Sequence, residues 1–224
     1  MEFTDIYKSL SKDNFCIQTT GGVFMKKKFK ATIYAKLLIV CLSLLIIPSL
    51  VIGFQSYKDA KNELDEKGKI ILRNSVKQVI LLIDEKQKEV ESGNISLEKA
   101  QEDVKEQILG KKTTDGTRPI NREIDLGKSG YFWILDEKGN LLAHPTLEGE
   151  SVWSSEDKSG TGFLFTQEYI KKALNGGGFT EYEWFLPNSE DTAKKIAYTD
   201  YDNNWGWVVA SGAYMKDFNK GADK

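Results

Sequence analysis

Gly130-Tyr-Phe-Trp-Ile-Leu-Asp-Glu-Lys-Gly-Asn-Leu-Leu-Ala-His-Pro145 and, further on, Trp205-Gly-Trp-Val-Val-Ala-Ser-Gly-Ala-Tyr214 are the stretches that decide the fold. The first begins with a β-branched and aromatic run, turns at a Gly-containing segment, and closes with a short apolar run stopped by Pro145. That is a hairpin. The second is one more strand of the same type. Strands are predicted over residues 131–135, 141–143, 179–185, 195–199 and 206–210. A single helical piece, 167–174, falls among them and is ended by Gly176-Gly177-Gly178. All five tryptophans lie between Trp133 and Trp207, and because aromatics bury much area each, the densest core is expected there.

Upstream, residues 37–54 are 18 consecutive positions without a charge. About 18–20 apolar residues cross a hydrocarbon core of ~30 Å as a helix, and Pro48 is tolerated in such a setting. Lys26, Lys27, Lys28, Lys30 and Lys36 precede the run, with no acid between Met25 and Lys36. The positive-inside rule therefore places a tail, residues 1–36, in the cytoplasm, residues 37–57 in the membrane and 58–218 outside, with a short tail at 219–224. A cleaved signal peptide shares the lysine-then-apolar pattern. Against it stand the length of the run and the exit Val51-Ile-Gly-Phe-Gln-Ser-Tyr57, which lacks a small-x-small cleavage site. Residues 1–24 show no hydrophobic periodicity. Either they are a disordered tail, or the true start is Met25, whose Met-Lys-Lys-Lys-Phe-Lys is a natural beginning for this orientation.

Charge divides the same way. Residues 1–57 carry seven lysines and three acids, a net of +4, and the remainder carries 24 basic and 30 acidic residues, a net of −6. A mildly acidic body without clustered arginine argues against nucleic acid as a partner. Cys16 and Cys41 both precede Lys58, and His144 is the only histidine. No disulfide, metal centre or cofactor is expected beyond Lys58, nor a Ser/His/Asp or Cys/His catalytic set, so the chain is not expected to be an enzyme.

From Lys58 to Glu91 the only strong breaker is Gly68. Leu72, Val76, Val79, Ile83 and Val90 recur at heptad-like intervals along a helix of about 50 Å at 1.5 Å per residue. This stripe is either a homodimer interface running along the membrane normal, or the face the helix buries on its own sheet, or each of these in a different half. The second is favoured, because two to three heptads are few for a coiled coil. Ser92-Gly93-Asn94 ends the helix, and Ser96 caps a second one with Leu97, Ala100, Val104 and Ile108 on one face and Gly110 as its stop. The fold class is α+β: an N-terminal transmembrane helix, then a long stalk helix packed on a five-stranded antiparallel sheet. Loops must cover the open face of that sheet, and residues 146–164 form the natural lid over a pocket.

The order of several fragments carries a family resemblance over about residues 58–218. They are Glu91-Ser-Gly-Asn-Ile-Ser-Leu-Glu-Lys-Ala, Asp115-Gly-Thr-Arg-Pro-Ile, Gly130-Tyr-Phe-Trp-Ile-Leu-Asp, His144-Pro with Leu147-Glu-Gly, Gly176-Gly-Gly-Phe-Thr-Glu-Tyr-Glu-Trp, Lys195-Ile-Ala-Tyr and Trp205-Gly-Trp-Val-Val-Ala-Ser-Gly-Ala-Tyr. In this order they resemble the single Cache domain, a PAS-like sensor found outside the membrane in bacterial chemoreceptors. With its lysine-flanked anchor, the chain is similar to the front end of a methyl-accepting chemotaxis receptor. The resemblance implies a sensor that binds a small polar metabolite, a short carboxylate or an amino acid. Alternatives are the sensor of a histidine kinase or diguanylate cyclase, or a truncated receptor acting as a binding or interaction protein. Receptors of this type continue into a second membrane helix, a HAMP linker and a methylated coiled coil, whereas this sequence stops at Lys224.

Seven residues are candidates for ligand binding. Lys195 begins a strand otherwise made of Ile196, Ala197 and Tyr198, and an inward ammonium there would pair with a carboxylate. Lys194 beside it must point the other way. Tyr182 shares a strand face with Thr180 and Trp184, and its hydroxyl either meets a ligand or is satisfied in the core. Tyr169 reaches the pocket from the lid side, and Trp133 and Trp184 are walls. His144 is a ligand donor or pH-sensitive group, or else bonds the lid backbone. Arg118 would clamp a carboxylate in bidentate fashion or remain a solvated loop arginine.

Overall fold

The computed structural model describes residues 32–186 and 189–218. The expected N-terminal tail, the alternative start at Met25 and the tail at 219–224 lie outside the described residues. Internal packing divides the chain into two units, Met1–Ser49 and Leu50–Lys224. In the first, residues 33–49 are helical, and most of their apolar side chains are exposed. They belong to helix α1 (Ile33–Glu91), which contains an 18-residue window long and apolar enough to cross a membrane, none of it buried.

The second unit adds α2 (Leu97–Ile108), β1 (Tyr131–Leu135), β2 (Leu141–Ala143), α3 (Phe165–Leu174), β3 (Gly178–Phe185), β4 (Thr192–Asp202), β5 (Trp207–Tyr214) and the short α4 (Met215–Phe218). Gly93 at the end of α1 takes φ +76°, a left-handed value that glycine adopts without penalty. Ser96 then caps α2, its hydroxyl accepting from the Lys99 amide at 3.2 Å. The five strands form one antiparallel sheet in the order β2-β1-β5-β4-β3.

Strand alternation gives the sheet two apolar faces. One carries Phe132, Ile134, Ile196, Tyr198, Trp207, Val209 and Ala213, which pack with Leu72, Val76, Val79 and Ile83 of α1 and Val104 and Ile108 of α2. The heptad-like stripe is therefore buried on its own sheet through Ile83. These residues pack as the favoured reading expects; Ile70, Ile71 and Leu81 are the apolar residues α1 leaves exposed in this region. The opposite sheet face carries Trp133, Leu135, Tyr182, Ala197, Val208 and Ala210, covered in part by Phe165, Tyr169 and Ile170 of α3.

Two strands run further than the sequence pattern predicts. β4 extends to Thr192 and Asp202 because each end finds partners in β3 or β5. β5 passes through Ser211, Gly212 and Ala213, residues of weak strand preference, because tertiary contacts hold them. The Ser211 hydroxyl donates to the Leu72 carbonyl at 3.0 Å. A Cβ on Gly212 would lie 2.8 Å from the Trp133 ring and 2.9 Å from the Ile196 carbonyl oxygen, so only glycine lets that indole cross the strand.

Candidate functional site

The second sheet face, α3 and the lid enclose a cavity of about 620 Å³. Its floor is set by register. Tyr182 on β3 pairs with Lys195 on β4, which pairs with Tyr214 on β5, so these three side chains form a row across the sheet. Tyr131 and Trp133 on β1 stand beside that row, opposite Gly212 and Ala210. Of the candidates, Lys195, Tyr182, Tyr169, Trp133, Trp184 and His144 all line this one cavity.

Lys195 is 2 % exposed and sits on the floor, not at a mouth. Its ammonium donates to the Tyr131 hydroxyl at 2.7 Å. It lies 4.1 Å from the Tyr131 ring centre, 5.0 Å from that of Trp133 and 5.6 Å from that of Tyr214, distances at which ring quadrupoles stabilise a cation. Among the described residues no carboxylate pairs with it, and burial lowers its pKa to about 7. Lys194 points to the other face and pairs with Glu181.

His144 is half-buried with its ring edge-on to Tyr131. Its Nδ1 accepts from the amides of Thr146 and Leu147 at 3.1 and 3.0 Å. Both bonds require an unprotonated Nδ1, so the neutral ring carries its proton on Nε2. Burial, aided by repulsion from Lys195, pushes its pKa down to about 3. The imidazole thus ties down the start of the lid and lines the cavity as a neutral group at ordinary pH.

Tyr182 stacks on Phe165, with centroids 4.4 Å apart, and Tyr169 packs edge-on to both. Burial raises the phenol pKa values of Tyr169 and Tyr182 well above 10, and that of Tyr131 to about 12, so all three remain protonated donors. Trp184 meets Phe165 edge-on, and the Lys158 ammonium of the lid sits 5.1 Å over the Trp184 ring.

Arg118 lies elsewhere. It is 3 % exposed, not a solvated loop arginine, and it is absent from the cavity wall. Its guanidinium pairs with Glu148 at 2.6 Å and Glu102 at 2.8 Å and donates to the Gly110 carbonyl. It therefore pins the lid, through Glu148, to α2. It does clamp a carboxylate through two nitrogens, but that carboxylate is Glu148 of the protein and not a ligand's, and Glu102 takes the rest of its fork.

Among the cavity residues the sequence reading did not single out are Tyr131, Tyr214 and Thr166, and also the cations Arg122 and Lys128. Tyr131 alternates with Trp133 on β1, a signal that was available. Tyr214 lies beyond the predicted end of its strand, and its hydroxyl donates to the Phe185 carbonyl. Thr166 lies just before the predicted start of α3.

Residues 64–224 match the family model for single Cache domain 2. The sensor histidine kinase MctS of Rhizobium johnstonii is 27% identical over 169 residues, covering 74% of this chain and 34% of that protein. The methyl-accepting chemotaxis protein McpP of Pseudomonas putida is 25% identical over 101 residues, 44% of this chain and 18% of that protein. The chain thus spans about a third or less of the length of these curated relatives. A solved periplasmic sensor domain of a chemotaxis protein superposes with a TM-score of 0.53 at 27% identity, over 66% of this chain and 95% of that one. A structure concerned with carboxylic acid recognition by a Cache chemosensory domain gives 0.53 at 24% identity, over 70% and 97%, a likeness of fold. With the family model covering well over half its length, and the sheet, stalk and lidded cavity in place, the chain belongs to the single Cache domain 2 family of ligand-sensing modules.

Proposed function

We propose that the chain is the extracytoplasmic sensing portion of a membrane-anchored chemoreceptor, and that its cavity binds a short carboxylate without transforming it. The observation that carries this reading is Lys195: a buried ammonium with no described protein carboxylate to meet it, in a cavity whose described lining holds no Asp or Glu. Burying such a charge is costly, and a ligand carboxylate would offset that cost through a charge-assisted hydrogen bond. The same lack of acid argues against an amino acid, whose own ammonium would enter the cavity without a partner. The fold neighbour concerned with carboxylic acid recognition points the same way.

The lysines before residue 37 and the apolar window in α1 support an N-terminus in the cytoplasm and a sensor outside. The exposed Ile70, Ile71 and Leu81 support pairing of two stalks. Output through chemotaxis is the reading favoured by the chemotaxis relatives. A kinase output is the second reading, favoured by the match to a sensor histidine kinase over 169 residues.

Thermal melts of the full chain in detergent with acetate, propionate, glycine and glutamate test the site. Ligand at a hundred times its dissociation constant adds ~2.7 kcal/mol when it binds only the folded state. Stabilisation by acetate or propionate, with the acid recovered unchanged, is expected. Stabilisation by the amino acids alone, or conversion of a bound acid, refutes the proposal. Protease treatment of intact cells should remove the sensor and spare the N-terminus; the reverse pattern refutes the orientation. A deletion strain that keeps its chemotaxis to the bound acid but loses a transcriptional response would favour the kinase output.

A further inference from the structure

Lys195 has a chemistry that ion pairing does not use. Among the described residues no other lysine is buried, and the described cavity wall holds no carboxylate to keep this one in its charged form. An amine desolvated in an apolar pocket gives up its proton readily and becomes a nucleophile. Near neutral pH a large share of Lys195 is therefore the free amine, opening on a cavity of about 620 Å³. Lys194 is the contrast: it lies on the other sheet face, exposed and paired with Glu181. Two hydroxyls stand unused on the same cavity wall. Thr166 and Tyr169 are three residues apart on α3 and so share one helix face. Both are buried, and neither Thr166 Oγ1 nor the Tyr169 hydroxyl has a hydrogen-bond partner. Buried polar groups in folded proteins are nearly always paired, so this pair is set to receive an oxygen that the chain itself does not supply.

We infer that Lys195 is a site of reversible covalent modification by dissolved carbon dioxide, forming a carbamate whose oxygens are held by the Tyr169 and Thr166 hydroxyls. The nitrogen lone pair attacks the carbon and a C–N bond forms. One C=O π pair moves onto oxygen, and the surplus proton on nitrogen leaves to water. Free amine and carbon dioxide thus become a carbamate anion and a proton, with no other reactant. A buried anion is costly unless it is hydrogen-bonded and compensated, and this cavity offers both. Tyr131, which now accepts from the lysine at 2.7 Å, can turn its hydroxyl to donate. Arg122 and Lys128 add positive charge to the wall, and His144 is neutral there at ordinary pH. The modification replaces the cation of the floor by an anion, so carbon dioxide excludes a carboxylate ligand and competes with it. The modification stands without the carboxylate reading above; the competition rests on it.

The test is to equilibrate the full chain in detergent with carbon-13 bicarbonate at pH 8, trap carbamates with an alkylating oxonium salt, and locate the label by peptide mass spectrometry. Label is expected on Lys195 and not on Lys194, with the N-terminal amine, which also forms carbamates, as the control for trapping. At fixed dissolved carbon dioxide the ratio of carbamate to free lysine should fall about a hundredfold or more from pH 8 to pH 6, because a step that releases one proton is opposed tenfold per unit. Tyr169→Phe and Thr166→Val, measured separately, should each lower that ratio about tenfold, the effect of one hydrogen bond to a charged group. A labelled N-terminus beside an unlabelled Lys195 overturns the inference, as does label shared evenly by Lys194 and Lys195. Label on Lys195 that neither variant reduces overturns the role given to the α3 hydroxyls. Propionate titrations with and without carbon dioxide read the competition separately. Weaker propionate binding under carbon dioxide is expected, and unchanged binding beside a labelled Lys195 refutes the competition. A labelled Lys195 in a chain that binds no propionate at all supports the modification and refutes the carboxylate reading alone.

Discussion

Replacing Lys195 with methionine should make the unliganded protein more stable and blind to carboxylates. Methionine keeps the length of the stem and removes the charge. Burial lowers the ammonium from its ordinary 10.5 to about 7, and each unit corresponds to 1.36 kcal/mol. Because the folded value is depressed, the penalty is present in full, at about 5 kcal/mol, below pH 7, declines as pH rises, and vanishes above 10.5, where the unfolded chain is neutral too. Against this, the Tyr131 hydroxyl loses the partner it holds at 2.7 Å, and a buried hydroxyl left unpaired costs about 1–3 kcal/mol. The net gain at pH 6.5 is then about 2–4 kcal/mol, a rise in Tm of roughly 4–16 °C at 2–4 °C per kcal/mol for a domain of this size. Melts of the full chain and of Lys195→Met in detergent, at pH 6.5 and pH 10, measure it. The advantage should be largest at the lower pH and gone at pH 10, and acetate or propionate should no longer raise the Tm of the variant. A variant less stable at pH 6.5, or a stability difference that does not change with pH, would show that the lysine is not held as a costly buried charge. A variant that still binds propionate as the parent does would sink the site assignment.

Carboxylate affinity should be flat between pH 6 and 7 and then fall about tenfold per unit as the empty-state lysine deprotonates, because the anion must recruit a proton to form its pair; titrations from pH 6 to 9 that show no decline would contradict this. Gly212→Ala should cost about 1–3 kcal/mol and weaken ligand binding, since its Cβ has 2.8 Å to the Trp133 ring and a backbone oxygen behind it; an unchanged denaturation midpoint would refute the close approach. Arg118→Met should destabilise by about 1–3 kcal/mol by leaving half-buried Glu148 with Lys112 as its remaining cation, a loss readable in the same denaturant melts and expected without any change in which acids bind.

The sequence carries the architecture further than it carries the site. Strands rich in Tyr, Trp, Ile and Val, such as β1, are legible because their side chains themselves drive the pairing. The second half of β5 is not, because Ser211-Gly212-Ala213 is held by a helix carbonyl and an indole distant in sequence. Lys195 is legible as an inward charge from the pairing of alternation with one doubled lysine. Arg118 is not, since its two carboxylate partners lie 16 and 30 residues away and only tertiary folding joins them. The orphaned hydroxyls of Thr166 and Tyr169 are invisible to any pattern, because a missing partner is a property of surroundings and not of a residue.

Along β5 the residues alternate between two readerships. Val208, Ala210 and Tyr214 belong to the cavity side, while Trp207, Val209 and Ser211 belong to the helix side, where Ser211 touches the Leu72 backbone. Neighbours in sequence thus pack on opposite faces of the sheet. Substitutions at one parity reshape the cavity wall, while the other parity preserves the contact by which the sheet grips α1. The lining of the cavity can thus change by point mutation without disturbing how the sheet seats on α1, and the helix-facing positions of β5 are where change should be tolerated least when one such domain is grafted onto another's helix.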